Sequence, residues 1–314
     1  MLRLQALLFV LIIGSGCELA GGGGGTGGGA GGGGATMQSF TRGYVFVRKD
    51  DRNVYIADEK DLQARARLSS TGGASHPSLS KDGKRVVYAQ QDGLGSFIAT
   101  VAVTGGTMTT VLSSSPQVKN LRSPVFTKDG ARILFAYDVG AGTSVGIVNV
   151  DGTAFKQLAG GSLSYASPSL SADGLTFLAG AGNSASSLTQ LERVEVATGM
   201  ATNLLNGLGL EAQVIVNRVV LSPDGTKAAF DGRVSSGSSR IFVVNLTTKT
   251  VTKLTDYPGD PNANDSFPTW VGNDKVGFSS DTGGNDQVYV LPATATNTSG
   301  GLTLPGAVEA SYGP

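Results

Sequence analysis

One phrase is written five times along this 314-residue chain. Residues 76–89 read HPSLSKDGKRVVYA, 123–136 SPVFTKDGARILFA, 167–180 SPSLSADGLTFLAG and 218–231 RVVLSPDGTKAAFD, with a looser FPTWVGNDKVGFSS at 267–280. Each copy is a β-favouring run, a break, and a second apolar run. In the fourth copy Pro223 presets φ for the second position of a type I turn and Asp224 suits the third. Gly225 then supplies the left-handed residue that such a turn needs. Each phrase therefore predicts a strand–turn–strand hairpin. The runs after the break, such as Val86-Val87-Tyr88 and Ile133-Leu134-Phe135, suit strands buried on both faces. The fifth break, Gly272-Asn273-Asp274, is one residue shorter and predicts a tighter, two-residue turn.

Measured from Leu79, Phe126, Leu170, Leu221 and Trp270, the copies are spaced by 47, 44, 51 and 49 residues. Repeats of about 40–50 residues containing four strands are the blades of β-propellers. The predicted fold class is all-β: a six-bladed β-propeller of four-stranded antiparallel blades. Five blades are complete in sequence. The first has middle strands in GYVFVR (43–48) and RNVYIA (52–57). Its exposed fourth strand is expected within 59–70, where Leu62, Ala64, Ala66 and Leu68 alternate with polar residues. An unpaired inner edge invites aggregation, so the C-terminal AVEASYGP (307–314) is expected to close this first blade.

The leader is a separate matter. MLRLQALLFVLIIGSGC has an early Arg3, an apolar stretch short for a bilayer span, and small residues before Cys17. Residues 1–16 are read as a lipoprotein-type signal peptide and Cys17 as the acylated residue. Residues 17–36 then form a lipidated, glycine-rich tether, and 37–314 the propeller. Glu18 after the cysteine favours the outer membrane. Lys+Arg and Asp+Glu each number 24, so no basic excess points to nucleic acid or to anionic lipid. Cys17 is the only cysteine, which excludes a disulfide within the chain.

Strand–SPDGK–strand phrases at this spacing resemble the propeller of the TolB family, with LSPDGTKAAF (221–230) close to its signature. LTDYPGDPNANDSFPTW (254–270) resembles that family's inter-blade passage, and SDTGGNDQVYVL (280–291) its second-to-third-strand connection. The resemblance spans about 41–314 and implies an envelope propeller that receives peptide segments of partner proteins. Members of that family carry an α/β domain before the propeller, whereas here the leader and tether occupy that place.

Catalytic readings fare poorly. His76 is the only histidine, so any Ser-His-Asp triad must use it, and the chain is read as offering no nucleophile elbow. Asp260-x-Asn262-x-Asn264 has calcium-loop spacing but lacks the later glycine and glutamate, and is read as an Asx-rich turn. Asp281, Asn285 and Asp286 are expected to shape a hairpin. No cofactor and no metal are expected. By repeat register, His76, Ser123, Ser167, Arg218 and Phe267 precede the inner strands and ring one mouth of a central channel. Arg218 departs from the small or aromatic residues at that position, and Val219 from the proline after it. Arg218 is read either as a partner contact or as an exposed cation paired with Glu211 or Asp265. The expectation is a monomeric, non-enzymatic envelope lipoprotein that binds a protein or peptide, with a carbohydrate-binding or degenerate lyase propeller as the alternative.

Overall fold

A computed structural model describes residues 40–209, 211–257, 260–294 and 301–314; Cys17 and the 1–36 leader and tether lie outside them. In chain order, β1–β3 (Gly43–Arg48, Val54–Asp58, Arg65–Arg67) precede β4–β7 (Ala74–Leu79, Arg85–Asp92, Gly95–Ala102, Thr109–Ser113). Next come β8–β11 (Lys119–Phe126, Arg132–Val139, Gly142–Asn149, Lys156–Ala159) and β12–β15 (Ser164–Leu170, Thr176–Ser184, Ser187–Glu195, Ala201–Asn206). The last are β16–β19 (Val214–Leu221, Lys227–Arg233, Ser239–Asn245, Val251–Lys253), β20–β23 (Asp265–Val271, Lys275–Ser280, Gln287–Pro292, Leu302–Pro305) and β24 (Ala307–Gly313). The chain is an all-β propeller of four-stranded antiparallel blades. Four of its sheets are separate, including β24-β1-β2-β3, in which β24 pairs antiparallel with β1.

The fifth sheet has eight strands, a departure from the separate blades that the repeat predicts. It joins β12–β15 to β16–β19 through one residue pair, Leu188 with Ile215. The pairing of β14 with β15 stops at Gln190–Asn206, which leaves the start of β14 open to β16.

The core explains the unbroken apolar runs. Along β5, Val86 and Tyr88 pack towards β1 and β2, while Val87 and Ala89 pack towards β9. On β9 the alternation recurs, with Leu134 packing towards β13, opposite to Ile133 and Phe135. Both faces of each such strand are buried between neighbouring sheets, so the apolar run shows no polar alternation. The innermost strands also touch in sequence: β4 packs on β8, β8 on β12, β12 on β16, β16 on β20 and β20 on β24. β24 packs in turn on β4.

The phrase turn has a second component that its glycine and aspartate do not reveal. Gly225 takes φ 72°, and its N–H donates to Ser222 C=O at 2.8 Å. Ser222 Oγ donates to Asp224 Oδ1 (2.6 Å) and accepts from Lys227 N (3.0 Å), while Asp224 Oδ1 accepts from Thr226 N. Ser80–Asp82 and Thr127–Asp129 repeat the lock, as does Ser171–Asp173. The Ser/Thr two places before each aspartate is thus part of the motif. In the fifth copy Val271 pairs with Lys275, which makes a three-residue loop rather than the expected two-residue turn. The outer strand expected across 59–70 shrinks to Arg65–Arg67. Asp58 and Asp61 accept backbone N–H bonds from Lys60, Gln63 and Ala64, and these Asx turns compete with strand pairing.

Candidate functional site

The five register-predicted residues lie inside the innermost strands, not before them, and each sits at a bulge. On β4, β12 and β20 the pairing passes three residues against two at Ser75/Ser78, Ala166/Ser169 and Ser266/Thr269. β8 does the same at Arg122/Val125. His76, Ser123, Ser167 and Phe267 take φ of 51°, 51°, 55° and 53°, a region costing a non-glycine residue about 1–2 kcal/mol. The proline that follows each has no N–H to lose, so the ladder is interrupted where no donor is stranded. Glu309 on β24, also at a register shift and with φ 55°, is the sixth member of this set, and the sequence reading missed it.

β16 breaks the pattern. From Ile215 to Val219 it spends four residues against two on β17, and Arg218 is not left-handed. Asp231, fully buried, fills the wider bulge. Its carboxylate accepts from Asn217 N (2.9 Å), Asn217 Nδ2 (2.8 Å), Arg218 N (2.8 Å) and, across to the next innermost strand, Phe267 N (3.2 Å). Burial pushes the Asp231 carboxyl above its ordinary value despite these bonds. Val219 retains the N–H that a proline would lack, and Ser167 Oγ accepts it at 2.9 Å. Glu309 plays the corresponding part for β4: its Oε2 accepts His76 N (2.8 Å) and its Oε1 accepts Arg52 Nη2 (2.7 Å).

Side chains from these positions cross the axis. The His76 ring meets Phe267 edge-on at 5.3 Å, and the Arg218 guanidinium lies 5.4 Å over the same ring. Arg218 Nη1 donates to Ala310 C=O at 2.8 Å, so this residue spans from β16 past β20 to β24. Neither Glu211 nor Asp265 is its partner. Glu211 pairs with Lys253 at 2.6 Å, and Asp265 accepts from Thr255 and Tyr257 hydroxyls. Burial pushes His76 down to about 4, outweighing Glu309, and Arg218, Arg122 and Arg52 add to the effect. His76 is therefore neutral at pH 7, and its Nδ1 is buried with no hydrogen-bond partner. Burial works to raise Glu309, but His76 and Arg52 outweigh it and hold the carboxyl below its ordinary value. With His76 neutral, the compensating cation is Arg52.

This layer is the floor of a cavity of about 700 Å³. His76, Ser123, Ser167 and Arg218 line it, while Phe267 lies behind His76 and Arg218 and is not among its lining residues. Ser123 and Ser167 are buried and add little polar surface. The walls carry Pro77, Pro124, Pro168 and Pro268, and the far end is lined by Lys81 and Lys128 from the phrase turns.

Contrary to the sequence reading, residues 142–146, GTSVG, do match the spacing of a nucleophile elbow. They run along β10, however, with no helix after them, and buried Ser144 donates its hydroxyl to Ala159 C=O. Among the described residues no group of three or more His, Cys, Asp or Glu side chains could hold a metal. Asn264 of the 260–264 loop instead donates its N–H and Nδ2 to Asp281, whose own loop contains a short 3-10 turn, Thr282–Gly284. No helix among the described residues is long and apolar enough to cross a membrane.

No protein-family model matches the chain, and no curated protein does. Solved structures do. TolB from Acinetobacter baumannii matches with a TM-score of 0.67 and 19% identity over 87% of this chain. The match spans 66% of that protein, just under two thirds of its length. A protein assigned as TolB from Agrobacterium tumefaciens matches with a TM-score of 0.60 and 17% identity, over 87% of this chain and 93% of that one. An oligogalacturonate lyase in complex with manganese matches with a TM-score of 0.52 and 14% identity, over 80% and 78%. At these identities the likeness is one of fold, and the fold is a TolB-like β-propeller.

Proposed function

We propose that this protein is a non-enzymatic lipoprotein of the bacterial cell envelope whose propeller binds a protein or peptide partner in its central cavity. The observation that carries this reading is the cavity of about 700 Å³, within the size range of ligand sites, into which every innermost strand contributes residues. Six blades are the count we infer. The pairing of β24 with β1 and the cyclic packing of the innermost strands support a ring that closes on its own C-terminal segment. Taking the eight-stranded sheet as two blades joined at one residue pair completes that count.

The leader supports anchoring through Cys17, with outer-membrane placement favoured and the propeller acting as a monomer. Cys17→Ser should turn a detergent-requiring protein into a soluble one or an unprocessed precursor, because multiple acyl chains hold a membrane almost irreversibly. Unchanged membrane fractionation would refute the anchor.

The binding reading is tested by immobilising the full chain and capturing partners from envelope extracts. Ser78→Trp fills the cavity from a half-exposed position without disturbing buried Ser123. It should abolish capture, and Arg218→Ala should weaken it by about 1–3 kcal/mol, the range of a charged hydrogen bond. Undiminished capture by both variants would move the binding surface elsewhere. The lyase likeness lends some support to the carbohydrate alternative. The cavity's aromatic residues argue against it: Phe126 and Trp270 are buried, Trp270 Nε1 is engaged by Val220 C=O, and half-buried Tyr312 packs edge-on against Tyr44 with its hydroxyl donating to Glu59.

A further inference from the structure

The charges that line the cavity are nearly all of one sign. Its single acidic side chain, Glu59, is paired with Arg42 at 2.6 Å and accepts the Tyr312 hydroxyl. Lys81, Lys128 and Lys275 are exposed on the same lining, and none of them is in an ion pair among the described residues. At the floor, Arg218 uses Nη1 on Ala310 C=O; Glu309 and Asp231 favour its charge, and among the described residues no group accepts from its Nε or Nη2. Beside it, His76 Nδ1 is buried and unpartnered. A buried polar atom without a partner is costly, and a guanidinium with two donors to spare matches a carboxylate's two oxygens. Between floor and rim the half-buried side chains of Leu79, Val125, Leu170 and Leu221 offer apolar surface. Lysines thus stand at the entrance, an apolar wall lies between, and unspent donors wait at the bottom.

We propose that the cavity receives an extended, acidic peptide segment, end first, with a carboxylate seated on Arg218 beside His76 Nδ1. This rests on the peptide-binding reading above and adds the ligand's charge and orientation. A polyanionic sugar shares the charge, but Phe126 and Trp270 are buried and half-buried Tyr312 already packs against Tyr44, which leaves sugar rings little to stack on.

Trp270 is the chain's only tryptophan and lines the cavity, so its fluorescence reports occupancy. Full-length protein is titrated with hexaglutamate, its hexaglutamine counterpart, hexa-alanine with a free or an amidated C-terminus, and hexagalacturonate. Saturable binding of hexaglutamate, at least tenfold tighter than hexaglutamine, is expected. Free-acid hexa-alanine binding above its amide would assign the seated group to a chain terminus, and equal weakness of the two to side chains; either supports the carboxylate seat if hexaglutamate binds. Arg218→Gln should weaken hexaglutamate at least tenfold. A triple Lys81→Gln, Lys128→Gln, Lys275→Gln variant, altered only at exposed positions, should weaken it several-fold and flatten its salt dependence. Equal affinity for hexaglutamate and hexaglutamine, no loss in either variant, or binding of hexagalacturonate alone overturns the inference. A partner captured equally by wild type and both charge variants overturns it too, yet leaves peptide binding standing. Hexaglutamate binding without any captured partner does the reverse.

Discussion

Asp265 and His76 titrate in opposite senses across one pH window. Asp265 is fully buried, and burial lifts its carboxyl to about 6 although Thr255 and Tyr257 hydroxyls and Arg240 favour its charge. Between the unfolded aspartate value and about 6 the folded chain alone holds this proton, so acidification stabilises the fold. His76 is pushed down to about 4, so between that value and the ordinary histidine value only the unfolded chain is protonated, and acidification destabilises. Each shift corresponds to about 3 kcal/mol. Between pH 6 and 4 these two contributions therefore largely cancel. Asp265→Asn should lose stability on acidification through that window, and His76→Gln should gain it. Urea midpoints at several pH values decide this. Parallel slopes in the two variants would contradict the burial of both groups. Asp231 belongs to the same scale. Asp231→Ala strands Asn217 N, Arg218 N and Phe267 N in the interior, and at about 1–3 kcal/mol for an unsatisfied buried group it should cost more than 3 kcal/mol in total.

At the level of elements, the hairpin phrase and the innermost bulge differ in how far they are written locally. In the turn, Gly225 at φ 72° has open space around a would-be Cβ, so Gly225→Ala should cost only the backbone strain of about 1–2 kcal/mol. Gly182 is different: an added Cβ would meet Ser187 C=O at 1.8 Å, so Gly182→Ala must displace backbone and should cost more. Ser222→Ala should cost about 1 kcal/mol through the lost lock on Asp224 and Lys227. Thermal unfolding of the three variants gives the order, and a Gly225→Ala cost above that of Gly182→Ala would contradict it. The turn was legible because its glycine, aspartate and proline act on neighbouring backbone. The bulge was not. Ser and Phe carry no left-handed preference, and what holds His76 and Phe267 there are carboxylates of Glu309 and Asp231, 233 and 36 residues away. Register alone placed the five positions in one layer. Glu309 escaped because Ala310 stands where four of the copies have proline, and no Asp-Gly break follows. Asp231 did leave a trace, as an acid directly after the apolar run Ala228-Ala229-Phe230.

On the scale of the whole molecule, the repeat period and the apolar runs conveyed the propeller, because blade spacing and burial on both faces are properties of the chain's own pattern. The contacts within the cavity's floor were not legible, since Arg218, Phe267, Ala310 and His76 meet from four different innermost strands. The tail tests the architecture. Removing 305–314 deletes β24, opens the edge of β1 and removes both Glu309 and the Ala310 carbonyl that receives Arg218. The truncated chain should aggregate or melt far below the intact one, because an exposed strand edge templates association. A truncated chain that runs monodisperse in size-exclusion chromatography and melts with the intact protein would contradict a ring closed by its tail. The central claim, that a partner enters the cavity, is tested most directly by photo-crosslinking in the native envelope. A photoreactive residue replaces Ser78 or Lys128 on the cavity lining, or exposed Thr252 on outer strand β19 as a control. The account predicts one discrete adduct from positions 78 and 128 and none from 252; adducts confined to 252, or none from either cavity position, would contradict it.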